Sequence, residues 1–135
     1  MRAARGSNPV IWPPDSRQGP QCMLINQRAG SGGDAFPYYF RQAGLGPLIG
    51  VRTWGGLVGI GDLPPMLAGA SVSVPSFAFY ENDGTWGVEG HGVAPDIEGI
   101  DDPALMVNGG DPQLDKAIEV MLTALRDHPF VTPPV

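Results

Sequence analysis

Apolar positions along this chain fall in short clusters divided by glycine and proline, not in long periodic runs. Cys22 to Ile25 is a continuous apolar run bounded by Gly19-Pro20 and Asn26, the pattern of a strand buried on both faces and central in its sheet. From Asp34 to Ala43, Phe36, Phe40 and Ala43 recur at helical spacing. Asp34 stands as an N-cap or first-turn acid, Pro37 in the first turn and Gly44 as the stop, which predicts a short helix. Leu48 to Trp54 reads as a second strand, and the glycine-spaced run Gly55 to Gly61 reads as a loop. Ser71 to Val74 and Phe77 to Tyr80 read as strands divided by Pro75, and Asn82-Asp83-Gly84 turns the chain into a strand ending at Glu89. Asp111-Pro112 opens the clearest helix, with Leu114, Ala117, Ile118, Met121, Leu122 and Leu125 on its apolar face, and this helix is expected to cover the sheet. The order of elements makes the class α/β or α+β, with helices packed on a mixed sheet.

Length changes this picture little: 135 residues make one domain with a single modest core. Charge excludes more. With a net charge of -6, Lys116 as the only lysine and no basic cluster, nucleic acid and anionic membrane surfaces are poor partners. The single cysteine, Cys22, gives no disulfide framework, no cysteine-histidine metal pattern is present, and no segment reads as a signal peptide or membrane span. A cytoplasmic protein without metal or cofactor is expected. The loop at Gly55 to Gly61 lacks the lysine of a phosphate-binding loop, which argues against a nucleotide.

Candidate chemistry centres on Arg28-Ala-Gly-Ser-Gly-Gly-Asp34, which sets Ser31 in a glycine-rich turn between the first strand and the first helix. A hydroxyl at such a turn is held clear of the sheet. Gly30, Gly32 and Gly33 let backbone and substrate approach closely, and the N–H groups after the serine point at a developing oxyanion. Taken alone, the same pattern describes an ordinary turn. A serine nucleophile needs a base, and the chain has two histidines. His128 closes the last helix, where the helix dipole favours it structurally. His91, in Glu89-Gly90-His91-Gly92, is a loop histidine that shares a face with Glu89 only if the segment is extended. Glu89 is the acid with least polar company, whereas Asp62, Asp83, Asp96, Glu98, Asp101 and Asp102 sit in turns and receive no chemical role.

Five ordered blocks carry a resemblance: Leu24-Ile25-Asn26, Ala29 to Asp34, Leu45 to Gly50, Arg52-Thr53-Trp54-Gly55-Gly56 and Val93-Ala94-Pro95-Asp96. Together, over residues 20 to 128, they resemble the C-terminal catalytic subdomain of tricorn protease and its bacterial homologues, relatives of the C-terminal-processing serine peptidases. The resemblance implies a crotonase-like α/β sandwich, present here as a partial domain, with Ser31 as nucleophile and the Gly32 N–H as one oxyanion donor. Glu89 matches the acid of a serine-histidine-serine-glutamate tetrad, helping to orient the histidine through the second serine. The lysine base of the processing branch would fall near Gly56, so the resemblance implies the histidine mechanism.

By the same resemblance, the serine-histidine pair of that tetrad and the other oxyanion glycine are expected in an upstream subdomain, for which this chain has no room. The expected organisation is therefore an extended arm over 1–20, a hydrolase subdomain over 21–128 and a tail over 129–135, together a C-terminal piece. Ser31 is expected to cleave peptide bonds, or small activated esters, through an acyl-enzyme, with His91 as the base available to the isolated chain. The competing expectation is a non-catalytic peptide-binding or assembly module. An open strand edge and apolar surface make a homo-oligomer the expected state.

Overall fold

The computed structural model describes residues 5–8, 10, 12–14, 19–61 and 64–129. The remaining residues of the expected arm, Asp62, and residues 130–135 of the expected tail lie outside the described set.

Three short parallel strands form the centre: β1 (Met23–Ile25), β2 (Leu48–Gly50) and β5 (Ile97–Glu98), in the order β1-β2-β5. Met23 pairs with Leu48, Ile25 with Gly50 and Ile49 with Ile97. The parallel crossover from β1 to β2 is helix α1 (Gly32–Gln42), as parallel pairing requires. Ile25, Phe40, Leu48, Val88 and Val93 make the buried cluster, joined by Met23, Tyr38 and Leu57. Ile49, next to Leu48, is equally buried, so β2 is covered on both faces. A second pair, β3 (Gly59–Ile60) and β4 (Pro75–Phe77), is antiparallel and stands apart from the first sheet. After β5 come a single-turn helix α2 (Pro103–Met106) and the long helix α3 (Pro112–Asp127), which packs on β1 and β2.

Several expected elements shift. The central strand is β2, while β1 is an edge strand of the described sheet with Leu24 partly exposed. An apolar run records burial, and the covering of β1 by α1 and α3 satisfies it without a second strand neighbour. Helix α1 begins at Gly32, not Asp34, so Pro37 lies beyond the first turn. Its buried residues are Asp34, Pro37 and Phe40, whereas Phe36 is exposed. The second strand stops at Gly50, and Ser71 to Val74 forms no strand; Pro75 begins β4, a first-residue position that loses no ladder hydrogen bond. Trp86 to His91 is a tight double turn, so Glu89 is not at a strand end.

Helix α3 is capped as its sequence predicts, with the Asp111 carboxylate accepting the Leu114 N–H at 2.9 Å. Its side-chain burial is restricted to Gln113 and Ala117. Leu114, Ile118, Leu122 and Leu125 remain exposed because strands of two or three residues cannot reach along sixteen residues of helix. The amide of Gln113 instead donates to the Ile25 carbonyl at 2.8 Å, fastening the helix start to the end of β1.

Candidate active site

The chain leaves β1, makes a turn at Asn26 to Arg28, and enters α1 through Ser31. Ser31 is the N-cap, yet its φ of 54° and ψ of -111° are outside the extended conformation that a capping serine adopts, and its side chain caps nothing. A positive φ on a residue with a Cβ costs on the order of 1–3 kcal/mol and persists where surrounding bonds fix it. Those bonds are all on the main chain. The Ser31 N–H donates to Gly56 O at 2.9 Å, and the Ser31 carbonyl accepts from Asp34 and Ala35, each at 2.9 Å. The hydroxyl therefore makes no hydrogen bond among the described residues, and it sits on an exposed residue at the positive end of an eleven-residue helix.

Around it, the Gly33 N–H donates to Gly30 O at 2.8 Å, while the Gly32 N–H makes no hydrogen bond among the described residues. Of the glycines singled out in sequence, Gly32 thus presents an open donor beside the hydroxyl, Gly33 closes the turn, and Gly30 supplies its carbonyl.

Asp34 is the residue sequence reasoning undervalued. It is 0% exposed, and its two carboxylate oxygens accept the N–H groups of Gly55 at 2.8 Å and Gly56 at 3.0 Å. With the Trp54 N–H on Ala29 O at 2.9 Å, four hydrogen bonds tie the serine turn to the segment Trp54 to Gly56. The available signal was an acid three residues after the serine and a Gly-Gly pair downstream, but neither announces the other.

The same segment is held from its other side. Glu89 Oε2 accepts the N–H groups of Leu57 at 2.7 Å and Val58 at 2.8 Å, and the Gly90 N–H donates to Gly55 O at 2.8 Å. Ser31 and Glu89 therefore flank one strip of backbone, residues 54–58. Oε1 of Glu89 accepts no hydrogen bond among the described residues. His91 lies close by in sequence, but its Nδ1 pairs with the Glu89 carbonyl at 2.8 Å, and no hydrogen bond joins its ring to the Ser31 hydroxyl. A carbonyl only accepts, so Nδ1 carries the proton in that bond, and the residue as a whole is exposed. His128 is the C-cap of α3, away from this constellation.

Beside α1 is a cavity of about 210 Å³ lined by Ala35, Tyr38, Tyr39, Leu57, Phe79 and Trp86 among others. At its edge the Tyr38 hydroxyl donates to Glu81, and this bond, followed by burial, pushes the phenol pKa up. Cys22 is also shifted up, by burial. Among the described residues no cluster of histidine, cysteine and acidic side chains is arranged to hold a metal ion, and no helix is long and apolar enough to cross a membrane.

The site thus sets an uncapped serine hydroxyl at a strand-to-helix turn of an α/β fold, beside an open backbone N–H. The chain belongs to peptidase family S41, whose sequence pattern matches residues 3–99. It is 42% identical over 130 residues to tricorn protease homolog 1 of Streptomyces coelicolor, covering 96% of this chain and 12% of that protein. Identity to the tricorn protease of Thermoplasma acidophilum is 42% over 116 residues, 86% of this chain and 11% of the relative. The crystal structure of the tricorn protease superposes with a TM-score of 0.84 at 40% identity, over 93% of this chain and 12% of that one. The α/β fold is thus shared with tricorn protease, and the chain spans about an eighth of the length of these relatives.

Proposed function

We propose that this chain is the nucleophile-bearing part of a tricorn-type serine peptidase, with Ser31 as the attacking residue. The observation that carries the reading is the uncapped Ser31 hydroxyl, held at positive φ by backbone bonds alone and flanked by the open Gly32 N–H. Ser31 Oγ attacks the scissile carbonyl carbon while a base takes its proton. The oxyanion is received at the Gly32 N–H, the C–N bond breaks, and the proton passes to the departing amine. Water then hydrolyses the acyl-enzyme and restores the serine.

Glu89 supplies the acid of the site through Oε1, the oxygen not engaged by Leu57 and Val58. In the isolated chain His91 is the histidine this reading assigns as base, since His128 closes α3. Small activated esters are the substrates this version handles best, because a good leaving group needs little protonation. The aromatic cavity at Ala35 and Leu57 takes an apolar substrate side chain. We place the fold in the crotonase-like group, as a partial domain working in a soluble, cytoplasmic protein. Self-association covers the exposed row Leu114, Ile118, Leu122 and Leu125.

A second reading rests on one observation: no base lies in hydrogen-bond reach of the Ser31 hydroxyl among the described residues. On that reading the chain binds peptide or assembles with another polypeptide without catalysing alone. Hydrolysis of a chromogenic acetate ester by the wild type, Ser31→Ala and His91→Gln separates the two. Loss of turnover in Ser31→Ala supports the serine reading, and loss in His91→Gln as well supports the self-contained version. Turnover that survives Ser31→Ala sinks the assignment; no turnover in any protein, with retained peptide binding, favours the second reading.

A further inference from the structure

Trp54 stands at the edge of the serine turn and is 71% exposed, although its backbone N–H is held by the Ala29 carbonyl and both of its chain neighbours, Thr53 and Gly55, are buried. The ring lies against Gly30, which precedes Ser31, and against Gly56, which accepts the Ser31 N–H. A methyl group placed on Gly56 would stand 2.6 Å from Cζ3 and 3.0 Å from Cη2, and one on Gly30 would collide with Cε3 and stand 3.2 Å from Cζ3. Neither glycine has a positive φ. The backbone conformation therefore does not demand glycine at these positions; the indole does. Gly30 directly precedes Ser31, and Gly56 holds the Ser31 N–H, so the space cleared for the ring is space around the candidate nucleophile. The residue is otherwise open to solvent, and its Nε1–H has no hydrogen bond among the described residues.

We propose that Trp54 is a specificity-determining residue of the Ser31 site, its open indole face stacking on an aromatic side chain or other planar apolar group of the substrate beside the reacting carbonyl. The inference rests on Ser31 being the nucleophile. A lone exposed tryptophan is ordinary on a protein surface. This one is seated on two side-chain-free positions that border the hydroxyl, which leaves its free face where the substrate must pass. Aromatic partners prefer offset-stacked or edge-on contact with such a ring, which discriminates a planar group from a flexible chain of equal volume.

The test measures the rate at which Ser31 is modified by activated phosphonates carrying either a benzyl or a straight-chain alkyl group. That group is placed on the retained or on the departing side, and wild type is compared with Trp54→Phe and Trp54→Leu. Leucine keeps an apolar cover over Gly30 and Gly56 without a planar face, and thermal melts verify that both variants fold. The expected result is a preference of about tenfold for the benzyl reagent on one of the two sides, kept in Trp54→Phe and lost in Trp54→Leu. A benzyl preference that persists in Trp54→Leu, or is absent from the wild type, overturns the role of Trp54 while Ser31 modification itself stands. Failure of every reagent to modify Ser31 overturns the nucleophile assignment and this inference with it.

Discussion

The backbone N–H of Ser31 donates to the carbonyl of Gly56 across 2.9 Å, and this bond joins the turn that carries the hydroxyl to the strip of chain that Glu89 grips from the other side. The position of the hydroxyl is thus set by backbone, by the buried Asp34 carboxylate and by the half-buried Glu89, while its own oxygen makes no hydrogen bond among the described residues. Removing members of this network one at a time separates scaffolding from chemistry.

Asp34 is scaffolding. Asp34→Ala leaves the N–H groups of Gly55 and Gly56 without acceptors in a largely buried setting, and the expected cost is about 2–4 kcal/mol. Urea unfolding checks this through a lower midpoint at unchanged slope. A midpoint equal to that of the wild type contradicts the clamp.

Glu89 combines both roles, and two substitutions divide them. Glu89→Gln keeps a carbonyl oxygen for the N–H groups of Leu57 and Val58, so stability changes by less than about 1 kcal/mol, while ester turnover falls at least tenfold with loss of the charge. Glu89→Ala loses both. Full turnover in Glu89→Gln, measured under saturating substrate, removes the acid from the mechanism.

Tyr38 gives the fold an alkaline limb. Its hydroxyl donates to Glu81 and its pKa is raised, so the folded state holds this proton more firmly than the unfolded chain does. That stabilisation is complete below tyrosine's ordinary pKa of about 10 and disappears as pH rises through the folded value. Compared with Tyr38→Phe, the wild type should lose its extra stability above that point. Parallel stability curves for the two proteins through the alkaline range exclude the effect.

Two neighbouring glycines respond differently to alanine. Gly90 has a φ of +72° with open space around it, so Gly90→Ala carries only the backbone cost, about 1 kcal/mol. Gly92, at +67°, adds a collision with the Thr53 carbonyl, and Gly92→Ala should cost at least about twice as much. Melting temperatures in the reverse order contradict this packing of the Thr53 and Val93 segments.

What sequence disclosed follows from where physics is local. The Asp111 cap of α3, the strands at Met23 and Leu48 and the turn at Ser31 depend on near neighbours, and they are legible. The five blocks that resemble tricorn protease made the family legible too. Trp86 to Glu89 alternates like a strand, but the Trp86 carbonyl takes the Glu89 N–H and the Val88 carbonyl takes those of His91 and Gly92, closing a turn that periodicity cannot report. Helix α3 covers the sheet as its apolar face suggested, but much of that face stays exposed because the sheet beneath it is shorter than the helix. Asp34 was invisible as a clamp since its partners lie about twenty residues away, and Trp54 looked like the end of a strand until Gly30 and Gly56 were found beneath its ring.

The central claim is that Ser31 is a nucleophile, and the direct measurement is the covalent adduct itself. After incubation of the intact chain with a fluorophosphonate, mass spectrometry should find a single phosphonyl group, mapped by fragmentation to Ser31 and missing from Ser31→Ala. An unmodified chain, or an adduct that persists in Ser31→Ala, would contradict it.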